Sequence, residues 1–165
     1  MDMKRILFFV VLLCVVTAQY SYSQDKQKKS EIIAAAVANK MLQKNLVMVM
    51  TGIISDYGRL ALDGSTVKLI DNKFTCDLPY RGSSRINTYG SQDGNIKATD
   101  VAVDVKSEYN EKKKFYRLNF TFAGDNDNEL YDVSLKVFTN GKVIMNIGST
   151  KRSAVDYQGG LYVEY

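Results

Sequence analysis

Apolar and polar residues alternate along most of the carboxy-terminal part of this chain. The alternation is clearest over residues 100–109, 115–123 and 131–137, and it returns at 143–147 after an Asn140-Gly141 pair. Successive side chains of a strand point to opposite faces, so this pattern predicts antiparallel strands with one buried face each. Asn-Gly between two such runs is a strong hairpin signal. The chain is therefore predicted to be mainly β, with consecutive strands forming an antiparallel meander.

Shorter strands are expected on both sides of this region. They are predicted at residues 46–54, 67–70, 74–78, 153–157 and 161–165, with a turn-rich stretch at 55–65 and a bend at Gly159-Gly160. The predicted fold has about eight strands, and curling into a barrel or packing as a sandwich would protect the sheet edges. The pattern leaves both of these alternatives open.

One helix is predicted before the first strand, over Ser30 to Lys44. Ile33, Val37 and Met41 recur at i, i+4 and i+8, which places them on one face of a helix. The apolar stripe is narrow, so the helix is expected to pack on the sheet.

The first residues have the pattern of a secretory signal peptide. Lys4-Arg5 precede an apolar run from Ile6 to Val16, which is too short to span a membrane as a helix. The predicted division is a signal peptide at 1–23, a flexible leader at 24–29 and one β-rich domain at 30–165. Cleavage after Ala18 is the alternative to cleavage after Ser23. The chain is thus expected to be exported, to the periplasm or the outer membrane, without a transmembrane helix.

Two cysteines bear on this assignment. Cys14 would make the protein a lipoprotein, but a small residue normally precedes a lipidated cysteine and Leu13 is large. Cys76 remains as a single cysteine after processing, so it cannot form an internal disulfide. Its place in the Phe74-Cys76-Leu78 alternation predicts a buried, apolar role.

The composition excludes several kinds of chemistry. The chain contains no His, which removes Ser-His-Asp and Cys-His mechanisms. The net charge of +4 is a mild excess, and nucleic-acid binding usually needs a concentrated basic face, so no nucleic-acid partner is predicted. No cofactor motif is present, and the Asp125-x-Asp127 turn lacks the glycine and terminal glutamate of an EF-hand, so no metal site is predicted.

The candidate site is the long connection that follows the only proline, Pro79. Pro79 favours an extended Leu78 and ends the preceding strand, while Asp93-Gly94 is a turn signal. A connection of this length without regular structure is typical of a functional loop. Tyr and Arg side chains are typical anchors of contact surfaces. The predicted binding residues are Tyr80, Arg81, Arg85, Tyr89 and Asp93.

These residues support a non-catalytic binding or structural module, with an anionic or glycan ligand or an envelope protein as partner. The opposing interpretation is architectural, with the tyrosines packing the loop against the sheet and the arginines solvated. A protein-interaction or inhibitor-like domain, using a strand edge or the helix, is the alternative function. A hydrolase that uses carboxylates such as Asp77 and Asp93 is a further one, although no spacing selects a catalytic pair.

The same loop carries a family resemblance. The sequence LPYRG at residues 78–82, followed by YG at 89–90 and DGNI at 93–96, resembles the signature of an exported Bacteroidetes family called domain of unknown function 4251. VFTNG at 137–141 and the later Arg152-Ser153 are similar to the carboxy-terminal hairpin of that family. The resemblance implies an exported envelope protein and brings no assigned activity.

Overall fold

The structure, a computed structural model, describes residues 27–83, 94–125 and 129–162. Within these ranges it contains one helix, α1, at residues 27–42. Nine strands follow: β1 (Asn45–Ser55), β2 (Gly58–Ile70), β3 (Lys73–Leu78), β4 (Ile96–Ala102), β5 (Lys106–Asn110), β6 (Phe115–Ala123), β7 (Leu130–Phe138), β8 (Lys142–Ser149) and β9 (Val155–Leu161). The prediction of a mainly β fold with one helix is confirmed.

All nine strands belong to one antiparallel sheet, in the order β4-β3-β2-β1-β9-β8-β7-β6-β5. The sheet is a meander except at its centre, where the first and last strands pair, for example Ile53 with Tyr157. It curls into a half-barrel, so that Phe74 of β3 lies 5.0 Å from Phe120 of β6, measured between ring centroids. Of the two predicted architectures, this single curled sheet is closer to the barrel, but within the described residues β4 and β5 are its two edges, so it is a half-barrel.

The core fills the inside of the half-barrel and follows the predicted alternation. The strand predicted at residues 115–123 coincides with β6, and its inward residues Leu118, Phe120 and Phe122 are all buried. The inward residues of β7 and β8 are likewise buried, and the Asn140-Gly141 hairpin lies where it was predicted. Gly141 has a φ of +82°, which explains why glycine suits this turn.

The two ends of the half-barrel are closed differently. At the first, which we call the helix end, α1 packs across the opening together with the tight turns β2–β3, β5–β6 and β7–β8. Val37 is fully buried there, and Ile33 and Met41 pack against the core, so the predicted stripe is confirmed. The second, the loop end, holds the connections β1–β2, β3–β4, β6–β7 and β8–β9.

Three local predictions are wrong, each for a different reason. Residues 55–65 are not turn-rich, because β2 runs through them and the turn is confined to Asp56 and Tyr57. Asp63-Gly64 forms a bulge instead, since Met50 pairs with Ser65 whereas Gly52 pairs with Ala61.

The alternating run at 100–109 is two strands and not one. β4 ends at Ala102, and residues 103–105 cross between the two outer edges of the sheet before β5 begins at Lys106. Val101 and Val105 still pack against the core and Val103 is buried, so the hydrophobic pattern continues through a break in strand pairing.

Gly159-Gly160 is not a bend, because both glycines lie inside β9. A Cβ atom on Gly159 would lie 2.0 Å from the backbone oxygen of Val49. Glycine is required here because β1 and β9 approach closely, which is its other common role within strands.

Candidate functional site

Tyr80 fixes the start of the long connection at the loop end. Its side chain is 3% exposed, and its hydroxyl donates to the Ser83 carbonyl oxygen at 2.9 Å and lies 3.2 Å from Ser153 Oγ. The backbone joins this contact, because the Ser153 amide donates to the Ser83 carbonyl oxygen at 3.0 Å. Tyr80 is therefore buried beneath the loop, in the position that the architectural interpretation gives it.

A buried ion pair lies beside Tyr80. Arg152 Nε is 3.6 Å from Glu129 Oε2, and the exposed fraction of the Glu129 side chain is only 4%. The Arg152 guanidinium lies over the rings of Tyr80 and Tyr131, at 5.0 and 6.0 Å from their centroids. It also donates to the Gly94 carbonyl oxygen at 3.2 Å, at the far end of the same connection. We call Glu129, Arg152, Tyr80 and Tyr131 the Arg152 clamp.

The buried carboxylate of the clamp has hydrogen-bond partners besides Arg152. Ser149 Oγ donates to Glu129 Oε1, and the Lys151 amide donates to the same oxygen at 3.3 Å. A buried carboxylate without such partners would be strongly destabilising. The clamp therefore ties three connections of the loop end together, namely β3–β4, β6–β7 and β8–β9.

Arg81, the next residue along the chain, is exposed. It lines an open pocket of about 280 Å³ together with the β1–β2 turn, and the other lining residues are Ser55, Tyr57, Gly58, Arg59 and Leu60. Tyr57 is 77% exposed, so its ring is available for contact. We call this the Arg81 pocket, and its lining includes two arginines and an exposed tyrosine.

The predicted site residues thus have different places. Tyr80 and Arg81 are neighbours in sequence, but one is buried in the clamp and the other lines a pocket. Arg85, Tyr89 and Asp93 lie outside the described residues. Two carboxylates were considered for hydrolysis. Asp77 is exposed and accepts a hydrogen bond from Asn95 Nδ2 at 2.6 Å, whereas Asp93 lies outside the described residues.

Sequence reasoning did not identify Glu129 as part of the clamp, nor Tyr57 and Arg59 as residues that line the pocket with Arg81. Glu129, Tyr131 and Val133 occupy alternate positions that are all buried. A charged residue at a position where the alternation predicts an inward side chain could have indicated a buried ion pair. Tyr57 and Arg59 were assigned to a turn-rich stretch, and only the path of β2 shows that they face Arg81.

A polar groove also crosses the outer face of the sheet. It has a volume of about 400 Å³ and is lined by Asp104, Lys106, Asn119, Phe120, Thr121, Asp132, Val133, Ser134 and Asn146. It combines carboxylates and small polar groups, whereas the Arg81 pocket combines cations with an aromatic ring. The two surfaces therefore favour different ligands.

Cys76 has the apolar role that its position predicted. The residue is 2% exposed, its thiol donates weakly to the Ile96 carbonyl oxygen at 3.7 Å, and burial raises the pKa of the thiol to about 12. A thiol with so high a pKa is a poor nucleophile. Burial likewise raises the pKa of Tyr157, whose hydroxyl donates to the Pro79 carbonyl oxygen at 3.1 Å.

The described ranges show no group of three His, Cys, Asp or Glu side chains that could hold a metal ion. Asp125, from the turn compared with a calcium loop, instead accepts a hydrogen bond from Thr99 Oγ1 at 2.7 Å. Nor does any described helix have the length and apolarity needed to cross a membrane.

Comparison with known proteins places this architecture. The fold is similar to the crystal structure of a DUF4251 family protein from Bacteroides eggerthii, with a TM-score of 0.57 and 12% sequence identity over 80% of this chain and 88% of that one. No curated protein matches the sequence. The model of the family described as Domain of unknown function (DUF4251) matches residues 24–161. The chain therefore belongs to the DUF4251 family, as the resemblance in its loop and hairpin predicted.

Proposed function

We propose that this chain is an exported, non-catalytic binding module of the cell envelope, which takes an anionic or glycan ligand in the Arg81 pocket. The observation that carries the proposal is the convergence of Arg81, Arg59 and Tyr57 on one concave surface. Tyr57 and Arg59 come from the β1–β2 turn and the start of β2, whereas Arg81 follows β3, so the pocket is a product of the fold and not of one sequence segment.

The chemistry of these side chains defines the ligand. Guanidinium groups stay charged at any physiological pH and bind carboxylate or phosphate groups through two parallel hydrogen bonds. An exposed tyrosine ring offers a flat face on which the apolar side of a sugar ring can stack. A glycan that carries a carboxylate or phosphate would use both kinds of contact at once.

The Arg152 clamp supports the proposal from below. Tyr80 is held by Ser83 and Ser153, and it is the residue immediately before Arg81 in sequence. The backbone that presents Arg81 is therefore fixed before any ligand arrives. A fixed backbone lowers the entropic cost of binding, which is a general requirement for selective recognition.

Export is supported by the leader and by the resemblance described above. Lys4-Arg5 and the apolar run to Val16 match a signal peptide. Amino-terminal sequencing of the chain recovered from the envelope should show a start at Gln24 or Gln19. Recovery of the uncut chain in the cytoplasm would contradict export.

The binding site is tested by a thermal-shift screen on the processed chain. Matched sets of neutral, carboxylated and phosphorylated glycans are compared, and an acidic set is expected to raise the melting temperature while the neutral set does not. The shift should decrease with added salt, since exposed charges are screened. Arg81→Ala and Arg59→Ala should each reduce the shift, and Tyr57→Ala should reduce it for glycans but less for simple anions.

Lys112→Ala is the matched control, because Lys112 is equally cationic and exposed but lies on the β5–β6 turn at the helix end. It should leave the shift unchanged. If no acidic ligand raises the melting temperature, or if Lys112→Ala lowers the shift as much as Arg81→Ala does, the assignment of the site to this pocket is wrong.

A further inference from the structure

Strand β2 has an edge that other strands leave uncovered. It pairs with β1 along most of its length, from Gly58 to Ile70, but with β3 only at Lys68–Ile70. Over residues 58–66 the side of β2 away from β1 receives no backbone hydrogen bond from any other described residue. We call this stretch the β2 edge.

The course of β3 explains why β3 does not cover this part of β2. β3 ends at Leu78, and Pro79 has no backbone amide to continue the ladder. The chain is then drawn towards the β8–β9 turn, because Tyr157 donates to the Pro79 carbonyl oxygen and Ser153 bonds to Ser83. The contacts that fix the loop end therefore prevent β3 from following β2 any further.

Open edges are usually protected by charges or bulges, since they pair readily with other strands. The β2 edge carries both kinds of protection, with Arg59 and Asp63 exposed and the bulge at Asp63-Gly64. It also carries Leu60, which is 46% exposed although it lies opposite the fully buried Ile53 of β1. An apolar side chain on the inner face of an open edge remains to be covered.

The edge is complementary to itself. Residues 59–63 read RLALD. When two antiparallel copies are centred on Ala61, Arg59 of each lies opposite Asp63 of the other, and Leu60 lies opposite Leu62. Opposite charges and paired apolar groups at directly opposed positions are the contacts that stabilise antiparallel strands. A two-fold axis through Ala61 makes every one of these contacts twice.

We propose that two copies of this chain associate through the β2 edge, in antiparallel register about Ala61, to continue one sheet across the dimer. The strand that binds this edge is thus a second copy and not an unrelated peptide, because the positive and negative residues of the edge lie opposite each other when two copies run antiparallel. The contact is small, and interfaces that bury less than about 1,200 Å² are typical of weak, reversible complexes. The dimer is expected to form as the protein concentration is raised.

Sedimentation equilibrium of the purified chain over a concentration series tests the proposal. The mean mass should rise from that of one chain towards that of two. Arg59→Asp and Asp63→Arg each place like charges opposite one another at two positions, and each should weaken the dimer by roughly tenfold. The double variant Arg59→Asp with Asp63→Arg exchanges the charges and should restore dimer formation.

Lys112→Asp is the control, since it makes the same change of charge as Arg59→Asp at an exposed position on the helix end. It should dimerise as the wild type does. A wild type that stays monomeric up to its solubility limit would overturn the proposal, and so would a double variant as weak as the two single ones. The outcome is separable from that of the binding screen, because Asp63→Arg tests the dimer without changing a residue of the Arg81 pocket, and Arg81→Ala tests the pocket without changing the β2 edge.

Discussion

The two open ends of the half-barrel are closed by different kinds of contact. At the helix end the opening is covered by Val37 and its neighbours on α1, so closure depends on apolar area. At the loop end it is covered by the Arg152 clamp, where closure depends on an ion pair, two ring contacts and hydrogen bonds. Apolar contacts tolerate changes of shape, whereas a buried polar cluster fails when one member is lost.

The difference also indicates where a ligand is to be sought. The clamp holds the backbone beneath the Arg81 pocket in one arrangement. The helix end also has a pocket, of about 210 Å³ beside Met41 and Leu118, but the described residues form no such cluster of directional contacts around it. Ion pairs and hydrogen bonds fix the orientation of the groups that they join, so the loop end can hold side chains such as Arg81 in a defined position. The comparison predicts unequal responses to mutation, and two experiments test it.

The largest effect is expected at the clamp. Arg152→Met removes the cation but leaves the carboxylate of Glu129 buried, which should lower the free energy of unfolding by about 3 kcal/mol. Arg152→Lys should recover little of the loss, because an ammonium group lacks the planar shape that lies over two rings. Urea unfolding followed by tyrosine fluorescence measures both values.

The matched control is Lys151→Met, at the exposed neighbouring position, which should change stability by less than about 0.5 kcal/mol. Combining Arg152→Met with Glu129→Leu should cost less than the sum of the single changes, because the unpaired charge is gone. Additive costs would show that the pair is not a coupled unit and would weaken the contrast between the two ends.

A smaller loss is expected at the helix end. Val37→Ala removes two methyl groups from a fully buried site and should cost about 1.5 kcal/mol, partly offset by the higher helix propensity of alanine. Leu42→Ala removes more apolar volume but at a position 84% exposed, so its cost should be close to zero. If Val37→Ala lowers the free energy of unfolding as much as Arg152→Met does, the two ends do not differ in their sensitivity to mutation.

The sequence predicted most of the fold, because alternation is a local signal that survives in each strand. β6 was predicted to the residue, and the stripe on α1 identified the face that packs on the sheet. The errors arose where pairing partners decide the structure. Gly159 looked like a bend because nothing local shows that β1 passes 2.0 Å from where its Cβ would be. Asp63-Gly64 looked like a turn because a bulge and a turn use the same residues.

The candidate site was less accessible to such reasoning. Arg81 was identified from its place in the loop, but Tyr57 and Arg59, which line the same pocket, come from the β1–β2 turn and the start of β2, about twenty residues earlier. Tyr80 was grouped with Arg81 because adjacent residues were treated as one surface, and burial separates them. A contact between distant segments is a property of the closed sheet, so no pattern within either segment could reveal it.

The pairing of β1 with β9 has a consequence for how the protein is made. A ribosome releases the first strand long before the last, and β1 cannot acquire its second neighbour until residues 155–161 have emerged. The two halves of the sheet, β4 to β1 and β9 to β5, must therefore wait for the final strand before they join. Such late closure leaves one side of β1 without its partner strand until almost the whole domain has been synthesised.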